Sequence, residues 1–359
     1  FEADAETYAA ILSNDGQFVI VCGQSPEVRI YSQATGAQTG RLAGHDRAVE
    51  AIALSPDGRT LACVASDRRL SVWDWRNEQQ VYLSPLRDKR LSSVAFSTDG
   101  RLIVDGSIGG EVHVTSVGDW QETADLQLTD GIQGMVMSPF REQLCVATRA
   151  GDIIAYAAGL TQSQTLPESD PPLPASEGTH AHDGRIYDVE YMGDGIVISV
   201  GQDGRVCRTR LNDAASDSDT RVIPELRSRT ATLSPDGRLI VSCIDNALYA
   251  YDVRTSELQQ LHQFPDDVHW TAIAITPDGQ LVAAADAEGQ IAIAPLENDS
   301  AAEIHHLPGT PHVDRLRFSR HGNRLTIVSL PHDRVVVTEF PSLQEVCRRS
   351  VVDNNNAVL

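Results

Sequence analysis

The sequence predicts an all-β fold: an eight-bladed β-propeller of four-stranded antiparallel blades. Three observations carry this. A short motif recurs with a period near 42 residues, a Ser-Pro-Asp-Gly-like turn sits at the same point of each copy, and no stretch shows helical periodicity. The motif reads apolar, two variable, apolar, variable, apolar, then Ser or Thr, then the turn. It appears as VEAIALSPDG (49–58), LSSVAFSTDG (91–100), IQGMVMSPFR (132–141), IYDVEYMGDG (186–195), WTAIAITPDG (270–279) and VDRLRFSRHG (313–322). TYAAILSNDG (7–16) and SRTATLSPDG (228–237) are weaker copies.

Each repeat resolves into four strands. The motif alternates as a half-buried first strand. Pro presets φ in the turn and Gly accepts positive φ, which is hairpin chemistry. A short apolar run follows, such as LACVAS (61–66) or LIVSCI (239–244), and reads as a strand covered on both faces. After a tight turn, as in QDGRV (202–206), comes a third strand such as LSVWDW (70–75), and then a more polar fourth.

The anchors Ser13, Ser55, Ser97, Ser138, Met192, Ser234, Thr276 and Ser319 are spaced 42, 42, 41, 54, 42, 42 and 43 residues apart. Eight anchors predict eight blades, with seven as the alternative count. SLQEVCRRSV (342–351) supplies the last blade with its own fourth strand, so closure rests on face packing between the last blade and the first. Phe1–Glu6 are a further candidate to pair at that seam. The chain is expected to be a single propeller domain over 1–359. It carries an exposed Pro/Ser-rich acidic insertion at about 159–181, which reads as a tolerated surface loop and, in the sharper reading, a partner contact. It starts at Phe1 rather than Met, which reads as a piece of a longer protein with room for an upstream domain.

The second repeat holds Gly44-His45, Ser55-Pro56-Asp57-Gly58, Asp67 and Trp73-Asp74, and the fifth holds His182, Ser199, Asp203 and Gly204. These residues make the chain resemble the WD40-repeat family in a degenerate, bacterial-type form. The resemblance implies a hydrogen-bonded network of His, Ser/Thr, Asp and Trp that ties the loop before a blade to its turns. Carried over, it offers His45, Asp67 and Trp73 in the second blade, with Cys63 at the hydroxyl position. In the fifth it offers His182, Ser199 and Asp203, with Thr209 at the Trp position. The sixth keeps only Tyr251-Asp252.

The 50 acidic residues against 29 basic give a net charge of −21, which argues against nucleic acid and anionic membrane as partners. Lys89 is the one lysine; GC-rich codons account for the arginine bias, and a saline habitat would add acidic surface. Cys22, Cys63, Cys145, Cys207, Cys243 and Cys347 are dispersed without CxxC spacing, so free buried thiols and a cytoplasmic setting are expected.

No phosphate-binding glycine loop, GxSxG elbow or cofactor motif is present, and no catalytic residue, cofactor or metal site is assigned. His305, His306, His312, His321 and His332 are expected in separate solvated loops rather than around one ion. Candidate partner-binding residues are the cations of the loops joining fourth to first and second to third strands: Arg47, Arg68, Arg69, Arg87, Lys89, Arg90, Arg149 and Arg185, with Asp130, Gln202 and His269 nearby. The expected function is a non-catalytic protein–protein interaction scaffold or sensor whose partner presents an acidic segment. A propeller enzyme of lactonase or quinoprotein type and an extracytoplasmic binding protein are the alternatives.

Overall fold

The computed structural model describes residues 7–137, 144–156, 179–191, 196–210, 219–227, 230–234, 238–264, 269–296, 302–306, 313–319, 322–329, 334–343 and 345–350. It is an eight-bladed β-propeller. Its 32 strands form eight four-stranded antiparallel sheets, each made of four consecutive strands, and the described residues contain no helix. The blades span residues 7–43, 49–83, 91–127, 132–180, 186–227, 231–263, 270–306 and 315–350. The last blade has its own fourth strand, Glu345–Ser350, paired to Arg334–Glu339. Phe1–Glu6 lie outside the described residues, as does the 159–181 insertion up to residue 178; Thr179–His180 form the short fourth strand of blade 4 and Ala181 is buried.

Two compact units divide the chain: residues 42–229, with blades 2 to 5, and residues 1–41 with 230–359, which hold blades 6 to 8 and most of blade 1. Inside each unit the second and third strands of one blade pack against the first and second strands of its neighbour. In the first unit Ala62, Val64, Leu70 and Val72 of blade 2 meet Leu91, Val94, Phe96 and Ile103 of blade 3. In the second, Ala10, Val19, Val21 and Tyr31 of blade 1 meet Val328 and Val337 of blade 8. A second strand is therefore buried on both faces. Leu102–Ser107 and Ile196–Gly201 are buried at every position, whereas the fourth strand Gln79–Leu83 is mostly exposed. That is why the second strand reads as an unbroken apolar run and the fourth as polar.

The recurring turn has one mechanism. Ser97 Oγ donates to Asp99 Oδ1 (2.7 Å) and accepts from Leu102 N–H (2.9 Å), Arg101 N–H donates to Asp99 Oδ1 (3.0 Å), and Gly100 sits at φ +72. Ser13/Asp15, Ser55/Asp57 and Thr276/Asp278 repeat the pair. The hydroxyl thus satisfies a backbone N–H at the start of each second strand, and it holds the Asp57, Asp99 and Asp278 carboxyls below their ordinary range. Ser97→Ala is expected to strand the buried Leu102 N–H and cost about 1–3 kcal/mol in a denaturant titration, with an unchanged far-UV spectrum.

Candidate functional site

His45 stands in the loop entering blade 2. Its Nδ1 lies 2.8 Å from Asp67 Oδ2 and its Nε2 2.7 Å from Ser71 Oγ, and Trp73 Nε1–H donates to the same Ser71 Oγ at 2.8 Å. Asp67 also accepts Asp46 N–H and Arg69 N–H, so it joins the entry loop to the turn between second and third strands. Gly44 is required because a Cβ there would stand 2.6 Å from Trp73 Cζ2. The hydroxyl expected to be missing at Cys63 is supplied by Ser71. The two are direct cross-strand partners on one sheet face, so either position can present it to the imidazole.

Blade 5 repeats the arrangement with the pair exchanged. His182 Nδ1 lies 3.0 Å from Asp203 Oδ1, and His182 Nε2 2.8 Å from Ser199 Oγ. Ser199 is now on the second strand and its cross-strand partner on the third is Cys207, whose thiol donates to Ala181 O. Asp203 accepts Asp183 N–H and Arg205 N–H. Burial pushes its carboxyl up, but those donors and His182 outweigh it and hold it low. Thr209 is buried at the register position of Trp73.

Blade 3 carries a different set. Arg87, 42 residues after His45, occupies the equivalent place in its entry loop. It does not face solvent, as expected of a partner-binding cation: the side chain is 5% exposed, with Nη1 2.6 Å from Glu122 Oε1 and Nη2 3.4 Å from Asp105 Oδ1. The 42-residue offset from His45 was the signal for this. Asp105 and His113 take the cross-strand positions of Cys63 and Ser71. His113 Nδ1 meets Asp125 Oδ1 at 2.6 Å. Burial raises Asp105 to about 6 despite the Arg87 charge. Burial pulls His113 down, but Asp125 and Asp105 outweigh it and its imidazole is raised overall.

The remaining loop cations sit where entry loops meet the turns between second and third strands: Arg87 N–H donates to Arg68 O, Ile108 N–H to Arg90 O, Arg149 N–H to Gly131 O and Gln202 N–H to Arg185 O. Arg47, Arg68, Lys89, Arg90 and Arg185 are exposed; Arg69 and Arg149 are half-buried. Arg69 is spent on Ser84 O, and Arg90 lies 3.7 Å from Glu50. Asp130, in the loop entering blade 4, accepts Ala150 N–H from the turn between second and third strands, the reverse of the Asp67 arrangement, while Gln202 and His269 are exposed. His305 and His306 lie on a strand, Glu303–His306, rather than in a loop; His312, His321 and His332 fall outside the described residues. Cys22, Cys63, Cys145, Cys207 and Cys243 are buried and form no disulfide, and burial pushes the Cys145 and Cys207 thiols up to about 12. Such thiols are poor nucleophiles.

Fold and networks together define a β-propeller built of WD-type blades, two of them locked by an imidazole between a turn aspartate and a strand hydroxyl. The comparisons agree. Residues 36–74 match the WD40 family, described as "WD domain, G-beta repeat". The chain is 32% identical over 111 residues to the 66 kDa stress protein of Physarum polycephalum, covering 30% of this chain and 18% of that protein. It is 28% identical over 156 residues to the meiotic recombination protein rec14 of Schizosaccharomyces pombe, covering 43% and 48%. The chain thus spans less than half the length of these relatives. The computationally designed protein Ika8 shares the fold at a TM-score of 0.69 and 16% identity, over 91% of this chain and 94% of that one. The chain is an eight-bladed β-propeller that carries a WD40 repeat at residues 36–74.

Substitutions within the networks have distinct expected outcomes. Ser71→Ala is expected to leave His45 Nε2 and Trp73 Nε1 unpaired and cost on the order of 2–4 kcal/mol by chemical denaturation, with Cys63→Ala well below that. Arg87→Ala is expected to cost about 3–5 kcal/mol, because it leaves Asp105 buried without its counter-charge; a change within about 0.5 kcal/mol, typical of a surface arginine, would overturn the assignment.

Asp105 also sets a pH dependence. Its folded value of about 6 stands above the ordinary 3.8, so the folded chain holds the proton more tightly. Ionised Asp105 opposes folding above pH 6, and that opposition fades as the pH falls toward 3.8. The stability difference between the protein and Asp105→Asn is expected to shift by up to about 3 kcal/mol between about pH 7.5 and about pH 4, in favour of the unsubstituted protein at the acid end.

Proposed function

We propose that this chain is a non-catalytic scaffold or sensor module that captures a protein partner through the loops around Arg47, Arg68, Lys89, Arg90 and Arg185. The WD40 propeller is commonly a protein-interaction scaffold, and the proposal gives that role a surface. The observation that carries it is the difference between two sets of cations in a chain of net charge −21. Arg87 is consumed by internal ion pairs, while Arg47, Arg68, Lys89 and Arg185 are exposed and enter no ion pair among the described residues. Unpaired cations beside exposed backbone suit an acidic segment, steered in by charge and oriented by the guanidinium forks. The polar groups inside the blade 2 and blade 5 networks are engaged with one another, which supports a structural rather than a catalytic role there. The buried cysteines, which form no disulfide, support a reducing, cytoplasmic setting.

Arg68→Glu combined with Lys89→Glu is expected to weaken capture of the native partner at least tenfold in a surface-immobilised assay. Its stability should change by less than about 0.5 kcal/mol. Capture by the unsubstituted chain should fall as salt rises from about 0.1 M to about 1 M, where screening contracts from about 10 Å to about 3 Å. Undiminished capture by the double variant would remove this surface, and hydrolytic or redox turnover by the purified chain would overturn the scaffold reading.

A further inference from the structure

We propose that the polar cluster of blade 3 binds a divalent cation of the zinc class, with His113, Glu122 and Asp105 as ligands and Asp125 orienting the imidazole.

Asp105, His113 and Asp125 are successive cross-strand partners on the second, third and fourth strands, which puts them in one row on one sheet face. A register shift between Val114 and Thr115 brings Glu122 opposite Thr115, beside that row. Ligand-capable atoms of His113, Glu122 and Asp125 lie within 4.8 Å of one another.

The 2.6 Å contact between His113 Nδ1 and Asp125 Oδ1 places the imidazole proton on Nδ1, which leaves Nε2 with its lone pair. Nε2 is closed to solvent and has no hydrogen-bond partner. Asp105 is fully buried, and its Oδ2 has no partner either. A neutral imidazole nitrogen and an ionised carboxylate oxygen are both acceptors, so they need a proton or a cation as partner. A dication bound by both atoms would fill that need.

Arg87 does not block this. It holds Glu122 through Oε1 and Asp105 through Oδ1, which leaves the second oxygen of each carboxylate for the ion and fixes how it points. Three carboxylates (Asp105, Glu122, Asp125) against one guanidinium leave a formal charge of −2, which a dication balances. An imidazole with carboxylates selects zinc-like ions over magnesium or calcium, which take oxygen alone. Glu122 and Asp125 are exposed, so the ion has an entry path.

The test uses the full chain, stripped with chelator, dialysed and titrated with Zn²⁺ and separately with Mg²⁺ by calorimetry. One Zn²⁺ per chain and no Mg²⁺ is expected. His113→Gln should weaken Zn²⁺ binding by roughly 100-fold or more and Asp125→Asn by about 10–100-fold. Glu122→Gln, at a side chain 30% exposed, should weaken it by roughly tenfold or more. His180→Gln, which alters an exposed histidine paired with Asp152 and Asp183 on blade 4, should leave it unchanged. Far-UV spectra confirm that each variant is folded. Absence of one-to-one Zn²⁺ binding, equal binding of Mg²⁺, unweakened binding by folded Glu122→Gln, or loss in His180→Gln would overturn the proposal.

Discussion

A four-stranded blade has two apolar faces and cannot cover either by itself, and the rest of the structure answers that constraint. Burial of the second strand on both faces forces consecutive apolar residues there, as in Leu61, Ala62, Cys63, Val64 and Ala65, all fully buried. Each fully buried aliphatic side chain contributes about 1.5–3 kcal/mol, but only when the neighbouring blade is in place. Within each unit packing therefore couples neighbouring blades, and the short linkers become the points where alignment must be set.

Alignment is set by polar contacts, since apolar faces slide more easily than hydrogen bonds. Asp67 reaches both the loop entering its blade and the turn between the second and third strands, and Asp203 does the same in blade 5. The imidazole between aspartate and hydroxyl has both nitrogens satisfied, which a buried ring requires. The exchange of Ser71/Cys63 for Cys207/Ser199 shows which feature matters. The hydroxyl must reach the ring, whichever strand carries it, and the thiol fills the other position as a small apolar residue.

Much of this was legible in the sequence, and the limit is physical. The period and the Ser-x-Asp-Gly turn are local, so the anchor spacing was enough to count the blades. The networks depend on cross-strand neighbours, which lie 8 residues apart at Cys63 and Ser71, and family register alone pointed to Cys63. Arg87 was misplaced for a related reason. As a charged residue in a loop it reads as solvated, and only the positions of Asp105 and Glu122 around it show that the guanidinium is enclosed. Its distance from His45 equals the repeat, so its structural role was written in the period rather than in its residue type.

Blade 3 shows the consequence of changing the chemistry at such a position. With a histidine, as in blade 2, the entry loop is held by an uncharged-capable ring and one carboxylate that also accepts backbone N–H groups. With Arg87 the loop is held by a permanent cation, and a permanent cation needs counter-charge. Asp105 and Glu122 supply it, and the fully buried Asp105 adds a desolvation cost that the single guanidinium does not cancel, as its raised proton affinity shows. His113 then lies between two carboxylates, Asp105 and Asp125, where blade 2 has a neutral hydroxyl. One substitution at the entry loop thus entails a set of ionisable partners across three strands.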